Sequence, residues 1–120
     1  MAQLSRVSGE VSLREAVEIM ADIIDVQGAS GDFYRFTKEA LSGSGNFIIM
    51  SNETDDIICS GTTSDLNIAM QFWKNMPNHK AATTFYTRRN VTKSMRQAEH
   101  DDICLKHAPE MVVFEFDGSR

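Results

Sequence analysis

The apolar residues in the first third of the chain recur at helical spacing. Behind a capping box at residues 12–15 they fall on one face, which predicts a helix that runs to about Asp25. Gly28 and Gly31 interrupt this pattern. A second apolar stripe, which includes Phe33 and Leu41, then predicts another helix before the Ser-Gly-rich residues 42–45.

From residue 47 onward, short apolar runs and alternation predict strands, with helical periods between them. In order, these elements are a hairpin at 47–50 and 57–59, a helix at 65–76, a strand at 81–89, a helix at 91–107 and a strand at 112–117. The predicted order is therefore α-α-β-β-α-β-α-β. It favours an α+β fold with a small, largely antiparallel sheet of about four strands and helices packed on one face.

Composition and length indicate one globular domain over residues 1–120, since 42% of the residues are hydrophobic and 24% are charged. No apolar run approaches the roughly 18 residues of a membrane helix, and the N-terminal residues lack the apolar segment of a signal peptide. Cys59 and Cys104 do not make a disulfide framework. We therefore expect a cytoplasmic protein that does not bind membranes.

The charges are unevenly distributed along the chain. The net charge is −5, yet no acidic residue lies between Asp65 and Glu99, a window that holds six basic residues. The rest of the chain carries six basic and 17 acidic residues, a balance of −11. An overall acidic chain does not coat nucleic acid, so the basic window predicts a local binding surface instead.

Residues 83–96, TTFYTRRNVTKSMR, concentrate this positive charge on a predicted strand and the start of a helix. If Phe85 points into the core, alternation places hydroxyl, guanidinium and amide groups together on the opposite face, exposed to solvent. Arginine offers a planar two-pronged donor for phosphate, and tyrosine offers a surface on which a base stacks. The candidate ligand-binding residues are Thr84, Tyr86, Arg88, Arg89, Asn90, Lys93 and Arg96.

A purely structural interpretation of the same residues is also open. Threonine and tyrosine form strands well, and an arginine pair often lies at a solvated edge or pairs with nearby carboxylates such as Asp101 and Asp102. If the binding site exists, its small number of cations favours a nucleotide or a short single strand over a long polyanion.

A metal or catalytic site is the weaker alternative. His100, Cys104 and His107 fall at i, i+4 and i+7, so a continuous helix would present all three to zinc. His100 beside Asp101 also resembles a base with an orienting carboxylate. A structural role is the favoured interpretation, because Cys104 lies between the apolar residues Ile103 and Leu105 and His107 lies near a helix C-terminus, where a cation is stabilised. We expect no metal and no cofactor.

Three functional hypotheses follow. The first is a small non-enzymatic protein that holds an anionic ligand, a nucleotide or short nucleic acid, at the basic strand and helix. The second is a protein-interaction or inhibitor module, of the accessory or phage-encoded type, that blocks a larger complex. The wide apolar stripe around Trp73 would suit such a partner or a homodimer. The third is an enzyme that uses the region of His100.

Overall fold

A computed structural model describes residues 22–77 and 82–118. In chain order, the described residues form β1 (Ile23–Gln27), β2 (Phe33–Thr37), β3 (Gly45–Ser51), β4 (Ile57–Thr63), α1 (Leu66–Lys74), β5 (Thr83–Arg89), α2 (Lys93–His107) and β6 (Met111–Phe116). Neither helix is long and apolar enough to span a bilayer, as far as the described residues extend.

The described strands form a single mixed sheet in the order β1-β2-β5-β3-β4-β6. All neighbours are antiparallel except β4 and β6, which are parallel. The prediction of a largely antiparallel sheet of about four strands is therefore wrong, because it missed two strands near the start of the chain and the parallel pairing of the last one.

The two missed strands form a hairpin where helices had been predicted. β2 replaces the predicted helix over residues 33–41, and β1 occupies the predicted end of the first helix, whose residues 12–21 lie outside the described part of the chain. Alternation explains the hairpin, because Val26 and Phe36 are 5% and 0% exposed while Asp25 and Arg35 face solvent. Gly31, at φ +97°, supplies a turn conformation that other residues rarely adopt.

The elements predicted after residue 45 are present. β3 and β4 form the expected hairpin, and α1, β5, α2 and β6 lie where periodicity and alternation placed them. Asp65 caps α1 by accepting a hydrogen bond from the Asn67 N–H at 2.9 Å. The apolar stripe of α1 packs into the core, where Trp73 stacks on Phe85 with ring centroids 5.5 Å apart.

The helices lie on opposite faces of the sheet, so the prediction that they share one face is also wrong. Phe47 and Phe85 pack with α1, whereas their neighbours Ile48 and Tyr86 pack with Ile103 of α2. The connections explain this arrangement. α1 joins the parallel strands β4 and β5 across β3, and α2 returns in the opposite direction from β5 to β6. Right-handed crossovers in opposite directions place their helices on opposite faces.

Candidate functional site

The sheet opens at the seam between β2 and β5. All seven residues of β3 pair with β5, but β2 pairs with β5 only at Thr37 and Thr87. Beyond that pair the strands separate, and a side chain replaces the missing backbone contacts: the Arg88 Nη1 donates to the Arg35 carbonyl at 3.4 Å. The separation leaves a cleft on the sheet surface.

A cavity of about 350 Å³ occupies this cleft. We call it the arginine groove; its lining residues are Ile23, Arg35, Phe36, Thr37, Glu39, Leu41, Thr87, Arg88 and Arg89. Three of these nine residues are arginines, Arg35 from β2 and Arg88 and Arg89 from β5, so the lining of the groove is rich in basic residues. Such a surface favours an anion, because guanidinium donates planar pairs of hydrogen bonds to phosphate or carboxylate oxygens.

Arg88 is held in place by the protein itself. Its Nε donates to Glu99 Oε1 at 2.8 Å, and its guanidinium carbon lies 5.6 Å from the centre of the Tyr34 ring. Together with the bond to the Arg35 carbonyl, these contacts use much of the donor capacity of Arg88. Its main role in the groove is therefore to fix the spacing of β2 and β5.

Arg35 and Arg89 are more available to a ligand. The Arg35 side chain is 71% exposed, and its 3.1 Å ion pair with Asp25 is itself at the surface. Exposed pairs of this kind contribute only about 0–1 kcal/mol, so a ligand competes with them easily. Arg89 is exposed, donates its Nε to the Ser42 carbonyl at 3.2 Å, and forms no ion pair with any carboxylate in residues 22–77 or 82–118.

Tyr86 does not offer a stacking surface. Alternation along β5 predicts an exposed face opposite Phe85, but α2 covers that face and Tyr86 is only 5% exposed. Burial also raises the pKa of the Tyr86 hydroxyl. The assumption of an exposed face is wrong because a helix covers each face of β5 at Phe85 and Tyr86.

Asn90 and Arg96 belong to a buried polar network instead of an open surface. Asn90 donates to Asn46 Oδ1 at 3.1 Å, and Asn46 donates to the Arg96 carbonyl at 2.8 Å. The Arg96 side chain, which is 6% exposed, binds both carboxylate oxygens of Glu115 at 2.8 and 2.7 Å. That pairing raises the pKa of Arg96 and lowers the pKa of Glu115. Arg96 thus joins the start of α2 to β6.

Thr84 and Lys93 also lie apart from the groove lining. Thr84 donates to Asn52 Oδ1 at 2.6 Å and lines a separate cavity of about 280 Å³ that also contacts Lys38. Lys93 is exposed on the first turn of α2, on the other side of the sheet. Of the seven predicted residues, the structure brings only Arg88 and Arg89 together in the groove.

His100 lies in a closed interior site between α2 and β4. It is 0% exposed; its Nδ1 lies 3.0 Å from Ser60 Oγ, and its Nε2 lies 3.5 Å from Cys104 Sγ. Phe114 packs edge-on against the imidazole at 4.7 Å. Burial lowers the pKa of His100 and raises the pKa of the Cys104 thiol, so the pair is held uncharged.

The three residues considered above as possible zinc ligands do not form one site. His100 and Cys104 contact each other, whereas His107 lies at the C-terminal end of α2, where its Nε2 is 2.8 Å from the Gln27 carbonyl. Among the described residues, no group of three or more His, Cys, Asp or Glu side chains is placed to hold a metal ion.

Sequence reasoning missed two residues at this surface, Arg35 and Phe33. Both lie on β2, where Phe33 is 64% exposed. The signal was present as alternation, since Tyr34 and Phe36 point inward while Phe33, Arg35 and Thr37 share the other face. Assigning this stretch to a helix grouped Phe33 with Phe36 and hid the pattern.

The chain matches no protein family, no curated protein and no solved structure. Proposals for its function therefore rest on the geometry described above.

Proposed function

We propose that this protein is a small binding protein that holds a phosphate-bearing anion in the arginine groove. The observation that carries the proposal is the meeting of Arg35, Arg88 and Arg89 at one cavity of about 350 Å³. Arg35 and Arg89 would contact the ligand, and Arg88 would keep the two strands at a fixed distance. The cytoplasmic location remains part of this proposal, and the free thiols of Cys59 and Cys104 suit a reducing compartment.

The charges around the groove set the expected strength of binding. Asp25 and Glu99 already neutralise part of the positive charge, and Glu39 also lines the groove. Binding should therefore be moderate in affinity and weaken as salt is added, because the contacts are exposed to solvent.

Calorimetric titration with tripolyphosphate, a polyanion without a base, tests this proposal. We expect Arg35→Gln and Arg89→Gln each to weaken binding by about tenfold or more, the usual loss for one charge-assisted hydrogen-bonding group. Both side chains are exposed, so the melting temperature should not change. Lys93→Gln is the matched control, since it removes one positive charge from the opposite side of the sheet. Absence of binding, or an equal loss in the control, would contradict the proposal.

A protein-interaction module is the second candidate, and β6 is the observation that favours it. In the described sheet β6 is an edge strand, and Met111, Val112 and Phe114 are 41%, 44% and 54% exposed. An apolar edge strand is a template on which an extended segment of another protein adds as a further strand.

Site-specific photo-cross-linking distinguishes this candidate. A photoreactive residue at position 114 should cross-link in cells to one defined partner or to a second copy of the chain. The same residue at Leu105, which is 79% exposed on α2, is the control. Equal cross-linking at both positions, or none at 114, would remove the support for this candidate.

A further inference from the structure

The β1–β2 hairpin has one buried face and one face open to solvent. Val26 and Phe36 point into the second core, which α2 covers. Phe33 and Arg35 point the other way; Phe33 is 64% exposed and the Arg35 side chain is 71% exposed. An exposed phenylalanine alone is ordinary on a protein surface, but this one shares its strand face with a groove arginine.

The described helices leave this face uncovered. α1 packs over β3, β4 and β5, as its core partners Phe47, Cys59 and Phe85 show, and α2 lies on the opposite side of the sheet. Within residues 22–77 and 82–118, the open face of the hairpin therefore continues directly into the arginine groove, which shares Ile23, Arg35 and Thr37 with it.

The spacing of the groups suits a nucleotide chain. Phe33 and Arg35 are two residues apart on a strand, which places their side chains about 7 Å from each other on the same face. A phenyl ring stacks on any base, and a guanidinium beside it holds the attached phosphate. Arg89, across the seam on β5, provides a second cation for the next phosphate.

We infer that the ligand of the arginine groove is a short single-stranded nucleic acid, with a base stacked on Phe33 and phosphates held by Arg35 and Arg89. This inference rests on the proposed anion-binding function and adds the class of ligand. An open sheet face with separated groups fits a strand better than it fits a lone nucleotide, which needs an enclosed pocket. The net charge of −5 opposes a long polyanion and limits the contact to a few nucleotides.

Fluorescence anisotropy with labelled oligothymidylate and oligouridylate of about eight nucleotides tests the inference. We expect both to bind, and Phe33→Leu to weaken binding by about tenfold, the loss typical of one base–aromatic stack. Phe33→Tyr should retain binding because it keeps an aromatic ring. Phe114→Leu is the matched control, since Phe114 is a 54% exposed aromatic residue on β6. The melting temperature of the Phe33 variants should stay the same because that side chain is exposed. The melting temperature of Phe114→Leu is measured beside them, because Phe114 also packs against His100.

The tripolyphosphate titration distinguishes nucleic-acid binding through Phe33 from simple anion binding in the arginine groove. Phe33→Leu should leave tripolyphosphate affinity unchanged, because that ligand has no base. If tripolyphosphate binding depends on Arg35 and Arg89 but Phe33→Leu has no effect on the oligonucleotides, the inference is overturned and the anion site stands. If neither probe binds, both are overturned. A preference for one of the two sugars would support the inference and identify the strand as DNA or RNA.

Discussion

At the scale of single residues, the enclosure of His100 links the protonation of one side chain to folding. The imidazole is 0% exposed, and Ser60, Cys104 and Phe114 surround it. Asp101 is the nearby carboxylate that favours the charged form, but burial outweighs it and the pKa of His100 is lowered. The folded protein therefore holds His100 neutral, whereas the unfolded chain takes up a proton at the ordinary pKa of about 6.5.

This difference predicts a loss of stability in mild acid. As the pH falls through about 6.5, His100 becomes protonated in the unfolded state but stays neutral in the folded state. The free energy of unfolding therefore decreases until the pH reaches the lower pKa of the folded state. The slope from one group is at most about 1.4 kcal/mol per pH unit. Urea unfolding between about pH 7.5 and about pH 5.5 measures it.

Two histidine variants give this experiment its controls. His100→Asn should be less stable at neutral pH, because it loses packing, but should show a flatter pH profile. His107→Gln removes a second histidine, at the exposed end of α2, so a slope that flattens only in His100→Asn assigns the effect to His100. If His100→Asn does not fold, an NMR titration of the His100 ring in the wild type replaces it. A ring that titrates at or above the ordinary value would refute the prediction.

At the scale of secondary structure, the end of α2 contains avoidable strain. Ala108 ends the helix at φ 46° and ψ 57°, and its N–H donates to the Cys104 carbonyl at 2.8 Å. This left-handed conformation costs residues with a Cβ about 1–2 kcal/mol, and glycine normally occupies the position.

Ala108→Gly should therefore stabilise the protein, by up to about 1 kcal/mol once the greater freedom of glycine in the unfolded chain is counted. Ala98→Gly, at an exposed position inside the same helix, should instead destabilise it by about 1 kcal/mol. Thermal and urea unfolding of both variants and the wild type measure these changes in the free energy of unfolding. Equal destabilisation by both glycines would show that the left-handed cap costs nothing here.

Alternation and periodicity predicted the elements from residue 45 onward because each of them has one dominant pattern. The prediction for the β2 segment was wrong because two patterns overlap there. Phe33, Phe36 and Leu41 satisfy a helical period, while Arg35 and Thr37 satisfy a strand period. Pairing with β1, which joins Asp25 to Arg35 and Val26 to Tyr34, decides between them. A tertiary contact of this kind is not visible in a local pattern.

The candidate site was predictable only in part, for the same reason. Arg88 and Arg89 stood out in the charge distribution, but Arg35 lies 53 residues from Arg88 and meets it only because β2 is next to β5. The burial of Tyr86 depends on the direction in which the α2 connection crosses the sheet, and that direction follows from the strand order.

At the scale of the whole molecule, the β1–β2 hairpin is attached to the rest of the sheet by few backbone contacts. One residue pair joins β2 to β5, whereas seven pairs join β3 to β5. Side chains compensate for this difference. Asp102 of α2 accepts hydrogen bonds from the Ser30 N–H and hydroxyl at 2.9 and 2.6 Å, and from the Tyr34 hydroxyl at 2.7 Å.

These hydrogen bonds shift the pKa values of Asp102 and Tyr34. They lower the pKa of Asp102, whose charged form accepts all three. Burial, and then the bond to Asp102, raise the pKa of Tyr34 to about 12. Because the hairpin carries Phe33 and Arg35, the same contacts that hold it to α2 also keep one wall of the arginine groove in place.

We therefore expect the hairpin to open as a unit, with a free energy of opening lower than that of global unfolding. Native-state hydrogen exchange should show β1 and β2 amides exchanging through a shared opening, while β3, β4 and β5 amides exchange only on global unfolding. Asp102→Asn should accelerate the β1 and β2 amides severalfold and leave the others unchanged. Asp101→Asn removes the same charge from an exposed neighbour and is the control. Uniform acceleration across all strands would show that the sheet unfolds as one unit and that the groove wall cannot move independently.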